Sequence, residues 1–514
     1  MSASPTSLLS ETSLGSSRSG ISSLAVTQEL RKLLRHSSHY LSGILISLAL
    51  GFISFPIFTR IFSVPDYGTI ELVAKVLLLV TALSKMGLQQ SALRFYDVRL
   101  FSVDRSAAQR YYSTMLYGIT LTATCVSLLF WAGVRFSPTS LIGQEMRGLL
   151  FLVSILILVR SLTSLLWVFT RVQEKTRLYS IFTATTKVAT LASICLFIPW
   201  LGRSIRTFYS GTVLVEVAVA IVLIAMLLRG GLVDVHGFDL TLFRTGLAFG
   251  VPLIFYELSS IALDAGDRVL VRHYLGSNAL GLYSVAYGMS DYVNNLLIVP
   301  INLALAPIYI RLWTTEGQEQ TSEFLSRGLD LFLMVSTGII AVVAATARHA
   351  VILFASPKYE GAGALIPTLV AGLLIYTSHT FLAAGLMIHK DTRTMAKLLA
   401  YSALLNVGLN CLLLPRVGLP AAALATLVSY LFCVVLLGRA SYRLLPLRVD
   451  FRALGKYFVA AVVAWCVASR VELGMAIASL AARSALTFVI YGGILILLDS
   501  RVRTATGHLF GRGA

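Results

Sequence analysis

Apolar runs long enough to cross a lipid bilayer recur along nearly the whole chain, from about residue 40 to residue 500. One crossing needs about 20 mainly apolar residues in a helix. Hydrophobic residues make up 57% of the 514 residues and charged residues only 13%, whereas a soluble chain carries about 25% charged residues. We therefore predict an all-α integral membrane protein with about 14 transmembrane helices.

The apolar runs place the predicted helices at 40–60, 69–88, 113–134, 148–169, 179–200, 207–228, 246–265, 281–303, 329–346, 364–387, 396–414, 419–438, 456–470 and 474–498. Lys and Arg are more than twice as frequent in one alternating set of loops and termini as in the other. Since cytoplasmic loops carry the excess of these residues, both termini are predicted to face the cytoplasm. This distribution also accounts for the net charge of +18 without nucleic acid as a partner.

The chain divides into five predicted regions. A Ser-rich cytoplasmic tail, predicted to be disordered, covers residues 1–39. An N-terminal lobe of six helices covers 40–228, a C-terminal lobe of six helices covers 229–440, and two additional helices cover 441–500. Residues 501–514 form a second cytoplasmic tail. The loops are too short for a separate catalytic domain, and P-loop, dinucleotide and zinc motifs are absent, so we predict neither an enzyme nor a cofactor or metal site.

A short pattern occurs once in each predicted lobe. Residues 58–62 end helix one with an Arg at the centre of the segment, and Gly68 precedes helix two. Residues 266–270 likewise follow helix seven with a central Arg, and Gly281 opens helix eight. Six helices separate the copies, so both copies point the same way across the membrane. Such parallel repeats are one construction of alternating-access transporters.

The two junctions resemble those of a known family. The first reads PIFTRIFSVPDYG over residues 56–68, and the second reads DAGDR over 264–268, with Leu-Gly at 275–276 and Gly-Leu-Tyr at 281–283. Both are similar to junctions of Wzx-type polysaccharide flippases of the multidrug/oligosaccharidyl-lipid/polysaccharide exporter superfamily. The resemblance implies two pseudo-symmetric six-helix lobes around a central cavity, two C-terminal helices, and export of undecaprenyl-diphosphate-linked oligosaccharide. It implies no fixed set of substrate-binding residues.

Several charged residues fall inside predicted helices, where a charge at the bilayer centre costs at least about 2.5–3.5 kcal/mol. They are, in chain order, Lys75, Lys85, Arg160, Lys187, Glu216, Glu257 and Asp291. The cations all belong to the first predicted lobe, and two of the three acids belong to the second. The interior of the first lobe is therefore predicted to be net cationic and that of the second net anionic.

We predict that Arg160, Lys187, Lys75 and Lys85 form a cationic cavity for an anionic substrate. Arg binds phosphate oxygens through its planar fork, and Lys supplies a point charge. Alternatives stay open: Arg160 and Lys187 could form a structural ion pair with Glu216, Lys85 could extend to the cytoplasmic headgroups, and Lys75 could extend to the outer ones. Because one carboxylate cannot neutralise several cations, unpaired positive charge is expected to remain.

The predicted coupling or charge-pairing residues are Glu216, Glu257 and Asp291. Buried carboxylates can bind a coupling proton or cation. Glu257 and Asp291 could instead hydrogen-bond neighbouring polar side chains as packing elements. Asp264, Asp267 and Arg268 are predicted to lie at the outer end of helix seven as interfacial structure.

The leading functional prediction is a bacterial inner-membrane flippase that moves the lipid-linked oligosaccharide from the cytoplasmic to the periplasmic leaflet by alternating access. A peptidoglycan lipid-precursor flippase and a multidrug/cation antiporter of the same superfamily are the alternatives. The antiporters resemble one another in carrying an acid within helix one, whereas residues 40–59 contain none. A membrane-embedded polymerase or ligase would need a large outer loop. The predicted partners are membrane lipid and the anionic lipid-linked sugar, with other polysaccharide-assembly membrane proteins as candidates.

Overall fold

The computed structural model describes residue 46 and residues 48–138 and 144–509. Its α-helices are α1 Leu48–Ile61, α2 Val64–Ser84, α3 Leu88–Arg94, α4 Val98–Val103, α5 Arg105–Phe136, α6 Gln144–Val172, α7 Thr176–Leu201, α8 Ile205–Arg229, α9 Leu240–Thr315, α10 Gly317–Ala350, α11 Ile366–Thr377, α12 His379–Leu382, α13 Ala384–Ile388, α14 Thr392–Val417, α15 Leu419–Tyr442, α16 Phe451–Ala468, α17 Ala476–Leu498 and α18 Ser500–Leu509. A π-helical turn, Val351–Ala355, and a 3-10 helix, Pro357–Ala364, join α10 to α11.

Among the described residues, 11 helices are long and apolar enough to cross a membrane, and a helix pair between Pro357 and Leu382, bent by 55°, has the length and composition of a broken span or a re-entrant loop. One of the 11, α9, has 76 residues and would be about 114 Å long if it were straight, far more than a membrane core of about 30 Å. Gly276, at φ 81°, breaks α9 into two crossings. With α9 counted twice, the described chain holds up to thirteen crossings by length and composition, and the apolar helix α1 is shorter than a spanning helix. The predicted all-α membrane fold is confirmed.

Helix α2 begins five residues before its predicted start at residue 69. The side chain of Ser63 caps the helix by accepting a hydrogen bond from the backbone N–H of Asp66, and Pro65 fits the first turn because its ring fixes φ at a helical value. The earlier start places Glu71 two turns inside the helix. The sequence had left Glu71 near the helix end.

Helix α9 also differs from the prediction. The sequence indicated a turn of about ten residues between helices seven and eight, but the first part of α9 continues through residue 275, and Gly276 alone interrupts it. Asp264, Asp267 and Arg268 therefore lie inside the helix, and their predicted position at its outer end is wrong. Asp267 and Arg268 are buried, with 0% and 2% of their surfaces exposed.

Helices α2 and α9 pack against each other along what we call the seam, between a first half, α1–α8, and a second half, α9–α15. Gly68 meets the backbone of Gly281, and Gly87 meets that of Gly250. Gly68 lies near the start of α2, and Gly87 follows the end of α2 as the residue before α3, so the halves touch at both ends of α2. Gly68 and Gly281 are equivalent positions of the sequence repeat, as expected of positions close to a pseudo-twofold axis.

The last helices pack onto the second half through α10. Ala453, Ala460 and Ala464 of α16 are buried in a cluster with Ala341 of α10 and Tyr491 of α17. Small side chains allow close helix approach where lipid provides no hydrophobic drive for association.

Arg501 of α18 ties together three carboxylates at the adjoining end of these helices. Its guanidinium lies 3.3 Å from Asp330 of α10, 3.1 Å from Asp450 before α16, and 3.4 Å from Asp499 after α17. The backbone N–H of Ala453, with the Arg501 charge adding to it, lowers the pKa of Asp450. The cluster therefore joins four helices by charge.

Replacing Arg501 with Ala is expected to lower the Tm of the purified protein by a few degrees at pH 7, because three carboxylates lose their shared cation. A carboxyl whose folded pKa is lowered contributes stability above its unfolded pKa of about 3.9, and this contribution disappears as the pH falls through the folded value. The Tm difference between wild type and R501A should therefore shrink below about pH 4. An unchanged difference at pH 3 would contradict a carboxylate origin.

Candidate functional site

A polar chamber with a volume of about 350 Å³ lies at the seam. Helices α1, α2, α7 and the second part of α9 form its walls, so both halves contribute. Its lining is Leu48, Gly51, Phe55, Tyr67, Glu71, Tyr179, Thr183, Lys187, Gly288, Asp291, Tyr292 and Asn295. A chamber between two repeats is where an alternating-access transporter binds its substrate.

The polar side chains reach the chamber because of their helical spacing. Tyr179, Thr183 and Lys187 are four residues apart on α7, and Tyr67 and Glu71 are four apart on α2. Residues four apart lie on one helix face, one turn above the other. Asp291 and Asn295 repeat this spacing on α9. Three helices thus present one polar face each to a common space.

Among the described residues, Lys187 is the one cation of the chamber lining, which also holds Glu71 and Asp291. Its side chain is exposed, and among the described residues no carboxylate oxygen lies within the 4.0 Å of an ion pair. The chamber therefore carries one positive and two negative groups. This arrangement differs from the predicted cavity of four cations.

The other predicted cations lie in ion pairs. Lys75 contacts Asp264 at 2.9 Å, and Lys85 contacts Glu257 at 2.9 Å. Both pairs cross the seam to α9, the first from within α2 and the second from Lys85, the residue directly after α2, and the two pairs run antiparallel along the helices. The side chain of Lys85 is only 12% exposed and is held by Glu257. The predicted excess of cations in the first lobe and of acids in the second therefore appears as ion pairs across the seam.

Arg160 forms a two-pronged ion pair inside the first half. Its Nε donates to one carboxylate oxygen of Glu216 at 2.9 Å, and its Nη2 donates to the other at 2.7 Å. The two residues lie on α6 and α8, so the pair joins two helices of the same half. This geometry is the structural ion pair that the sequence left open as an alternative.

Breaking this pair should reveal its role. Glu216→Leu is expected to destabilise the protein by about 1.5–3 kcal/mol, because it leaves a half-buried guanidinium unpaired. The double variant Arg160→Met/Glu216→Leu should recover most of the Tm and should keep transport activity. A stable double variant without transport would show instead that Arg160 contacts the substrate.

A buried polar network adjoins the seam in the second half. The hydroxyl of Tyr283 donates to Asp267, and the hydroxyl of Tyr287 donates to Asp264 at 2.6 Å. The guanidinium of Arg268 donates to the backbone carbonyl of Asp264 at 2.6 Å and stacks 4.0 Å from the ring of Tyr287. Asp264 also accepts from Lys75, so the network reaches the first half.

The sequence missed Glu71 and the tyrosines of the chamber. A signal existed for Glu71, because Ser63 followed by Pro65 and an acid is a helix-start pattern that would have moved the helix boundary. For the tyrosines there was no such signal in the sequence, because aromatic residues are common in apolar helices. Within the described residues no group of three His, Cys, Asp or Glu side chains is placed to hold a metal ion.

A family model described as polysaccharide biosynthesis protein matches residues 33–313, more than half of the chain. The comparison with curated protein sequences gave no match.

Solved structures share the fold. The lipid II flippase MurJ in an inward closed conformation is similar with a TM-score of 0.66 at 12% identity, over 89% of this chain and 98% of that one. An inward-facing multidrug resistance MATE transporter of the MOP superfamily has a TM-score of 0.62 at 14% identity, over 82% of this chain and 99% of that one. A MOP superfamily transporter from Pyrococcus furiosus has a TM-score of 0.52 at 13% identity, over 80% of this chain and 95% of that one. At these identities the likeness concerns the fold alone.

Proposed function

We propose that this chain, which belongs to the polysaccharide biosynthesis protein family and has the fold of MOP superfamily transporters, flips undecaprenyl-diphosphate-linked oligosaccharide across the bacterial inner membrane. The lipid moves from the cytoplasmic to the periplasmic leaflet by alternating access of the chamber. Both chain termini face the cytoplasm in this orientation. Polysaccharide-assembly membrane proteins in the same bilayer supply and remove the lipid.

The observation that carries this proposal is the position of Lys187. An ammonium group that faces a polar chamber between two repeats, with no carboxylate in contact among the described residues, is free to pair with an incoming anion. A diphosphate head supplies that anion, and its prenyl tail stays in lipid while the head crosses. Lys187 is the proposed first contact of the phosphate.

The cross-seam lysines are the second proposed contacts. Lys75 and Lys85 are held by Asp264 and Glu257 while α2 and α9 touch. When the halves part, each lysine loses its carboxylate partner and needs another anion. A diphosphate bound at Lys187 would provide one for Lys75, which lies one helical turn from Glu71 on the chamber wall. Arg160 keeps its partner, because Glu216 belongs to the same half.

Two carboxylates in the chamber affect the energetics of the anion. Glu71 and Asp291 repel a diphosphate, and the ammonium group of Lys187 offsets part of that repulsion. A membrane that is negative inside drives an anion outward by about 2.3 kcal/mol per charge per 100 mV, or roughly 4–5 kcal/mol for two charges.

Reconstituted vesicles test the proposal. The purified protein is incorporated into vesicles that contain undecaprenyl-diphosphate-linked oligosaccharide, and an impermeant lectin measures how fast the sugar reaches the other leaflet. Parallel vesicles carry a lipid-linked peptidoglycan precursor or a cationic dye with a proton gradient. Faster flipping of the lipid-linked oligosaccharide alone supports the proposal. Movement of only the precursor or only the dye would replace it with the corresponding alternative.

A further inference from the structure

A second and larger cavity lies within the second half, away from the seam. It is a groove of about 800 Å³ between α10, α11, α15 and α16. Its walls are almost entirely apolar, with Leu333, Leu374, Leu427, Phe458 and Trp465 among the residues that line it. Helix α16 packs on α10 and α17, and the groove separates it from α11 and α15.

The groove has one basic end. Arg439 and Tyr442, in the last turn of α15, line it there together with Leu447 of the following loop. Arg439 is exposed, and no carboxylate lies within ion-pair distance of it in the described part of the chain. An apolar trough that ends at an unpaired guanidinium matches a lipid with acyl chains and an anionic phosphate.

The groove is separate from the chamber. Among the described residues none lines both cavities, and the chamber walls, α1, α2, α7 and α9, do not line the groove. A lipid head that is held at Arg439 therefore lies outside the chamber. A lipid held at Arg439 keeps its head at the membrane face where α15 ends.

We infer that the groove is a binding site for a resident anionic phospholipid of that leaflet, which is the cytoplasmic leaflet in the orientation proposed above. The phosphate pairs with Arg439, and the acyl chains fill the space between α16 and the pair α11 and α15. The lipid thereby completes the packing of α16, whose opposite face is already buried against α10 through Ala453, Ala460 and Ala464.

Lipid titration of the full-length protein tests this inference. Protein stripped of lipid in mild detergent is titrated with phosphatidylglycerol or phosphatidylethanolamine, and native mass spectrometry and Tm report binding. Wild type should bind one phosphatidylglycerol and gain Tm. Arg439→Ala should weaken that binding about fivefold and should lose the preference over phosphatidylethanolamine. Arg443→Ala is the matched control, because Arg443 is exposed in the next turn but does not line the groove.

A second variant tests the apolar part of the site. Gly438 lines the groove, and a Cβ added there would lie no closer than 3.8 Å to any neighbour, so Gly438→Leu should fold and extend its side chain into the space of an acyl chain. Its binding of both lipids should fall. Equal lipid binding by wild type, R439A and G438L would overturn the inference. A second result would also overturn it. If purified wild type carried a bound polyprenyl diphosphate and R439A did not, the groove would hold the transported lipid.

Discussion

Replacing Lys187 with Gln is expected to reduce the flipping rate of undecaprenyl-diphosphate-linked oligosaccharide about 10- to 150-fold, with normal expression and Tm. The expected size follows from the loss of a hydrogen bond to a charged group, about 1.5–3 kcal/mol. Glu71 and Asp291 would remain as the charged groups of the chamber lining, so the substrate head would meet only repulsion there. The lectin-accessibility rate in vesicles is the measurement.

Two further variants separate phosphate binding from simple charge balance. Lys187→Arg keeps the cation and should retain most of the activity. Lys187→Gln/Glu71→Gln restores the charge balance of the chamber without the ammonium group, and it should stay inactive if Lys187 binds the phosphate. Recovery of transport in this double variant would show that Lys187 serves only to offset Glu71. Lys397→Gln, at an exposed site on α14 outside the chamber, is the control for unspecific effects.

The sequence predicted the helices well because the membrane imposes a length and an apolar composition on each crossing. Helix ends were harder to predict. The sequence placed Asp264, Asp267 and Arg268 at a helix end because charges are costly in lipid. In the structure, tyrosine hydroxyls, a backbone carbonyl and Lys75 satisfy these charges inside the protein. The helix therefore continues through them.

The candidate site was predictable only in part. The sequence indicated which half carries cations and which carries acids, because this needs no knowledge of contacts. Pairing is a property of the fold: Lys75 and Asp264 are 189 residues apart, and Lys85 and Glu257 are 172 apart. Only the packing of α2 on α9 brings them together. Of the four predicted cations, only Lys187 is therefore without a carboxylate partner in the described part of the chain.

We propose that the charge asymmetry assists the alternating access proposed above. Ion pairs that cross the seam favour the state in which α2 and α9 touch, and opening of the chamber would have to break them. An anionic substrate that competes for Lys75 would lower the cost of opening, because the lysine would exchange one anion for another. A ligand shifts such an equilibrium only through its different affinity for the two states. In the proposed cycle, Lys75 and Lys85 would provide that difference.

Substituting Gly68 with Ala is expected to lower the flipping rate strongly while leaving the protein folded. A Cβ at this position would lie 2.5 Å from the backbone N of Gly281 and 2.8 Å from its Cα. No flexible side chain can move aside, so α2 and α9 must separate at this end of the seam. Overpacking of this kind costs about 1–3 kcal/mol, which disfavours the touching state by about 5- to 150-fold.

Hydrogen exchange over the first turns of α2 should therefore increase in Gly68→Ala, and the flipping rate should fall with it. Gly133→Ala is the matched control, because Gly133 lies in a transmembrane helix, α5, and a Cβ there meets no atom within 4 Å. The control should transport normally, since Ala is the better helix former. If Gly68→Ala exchanged and transported like wild type, contact of the two repeat-related glycines would not be a step of the transport cycle, and the seam would have to open and close elsewhere.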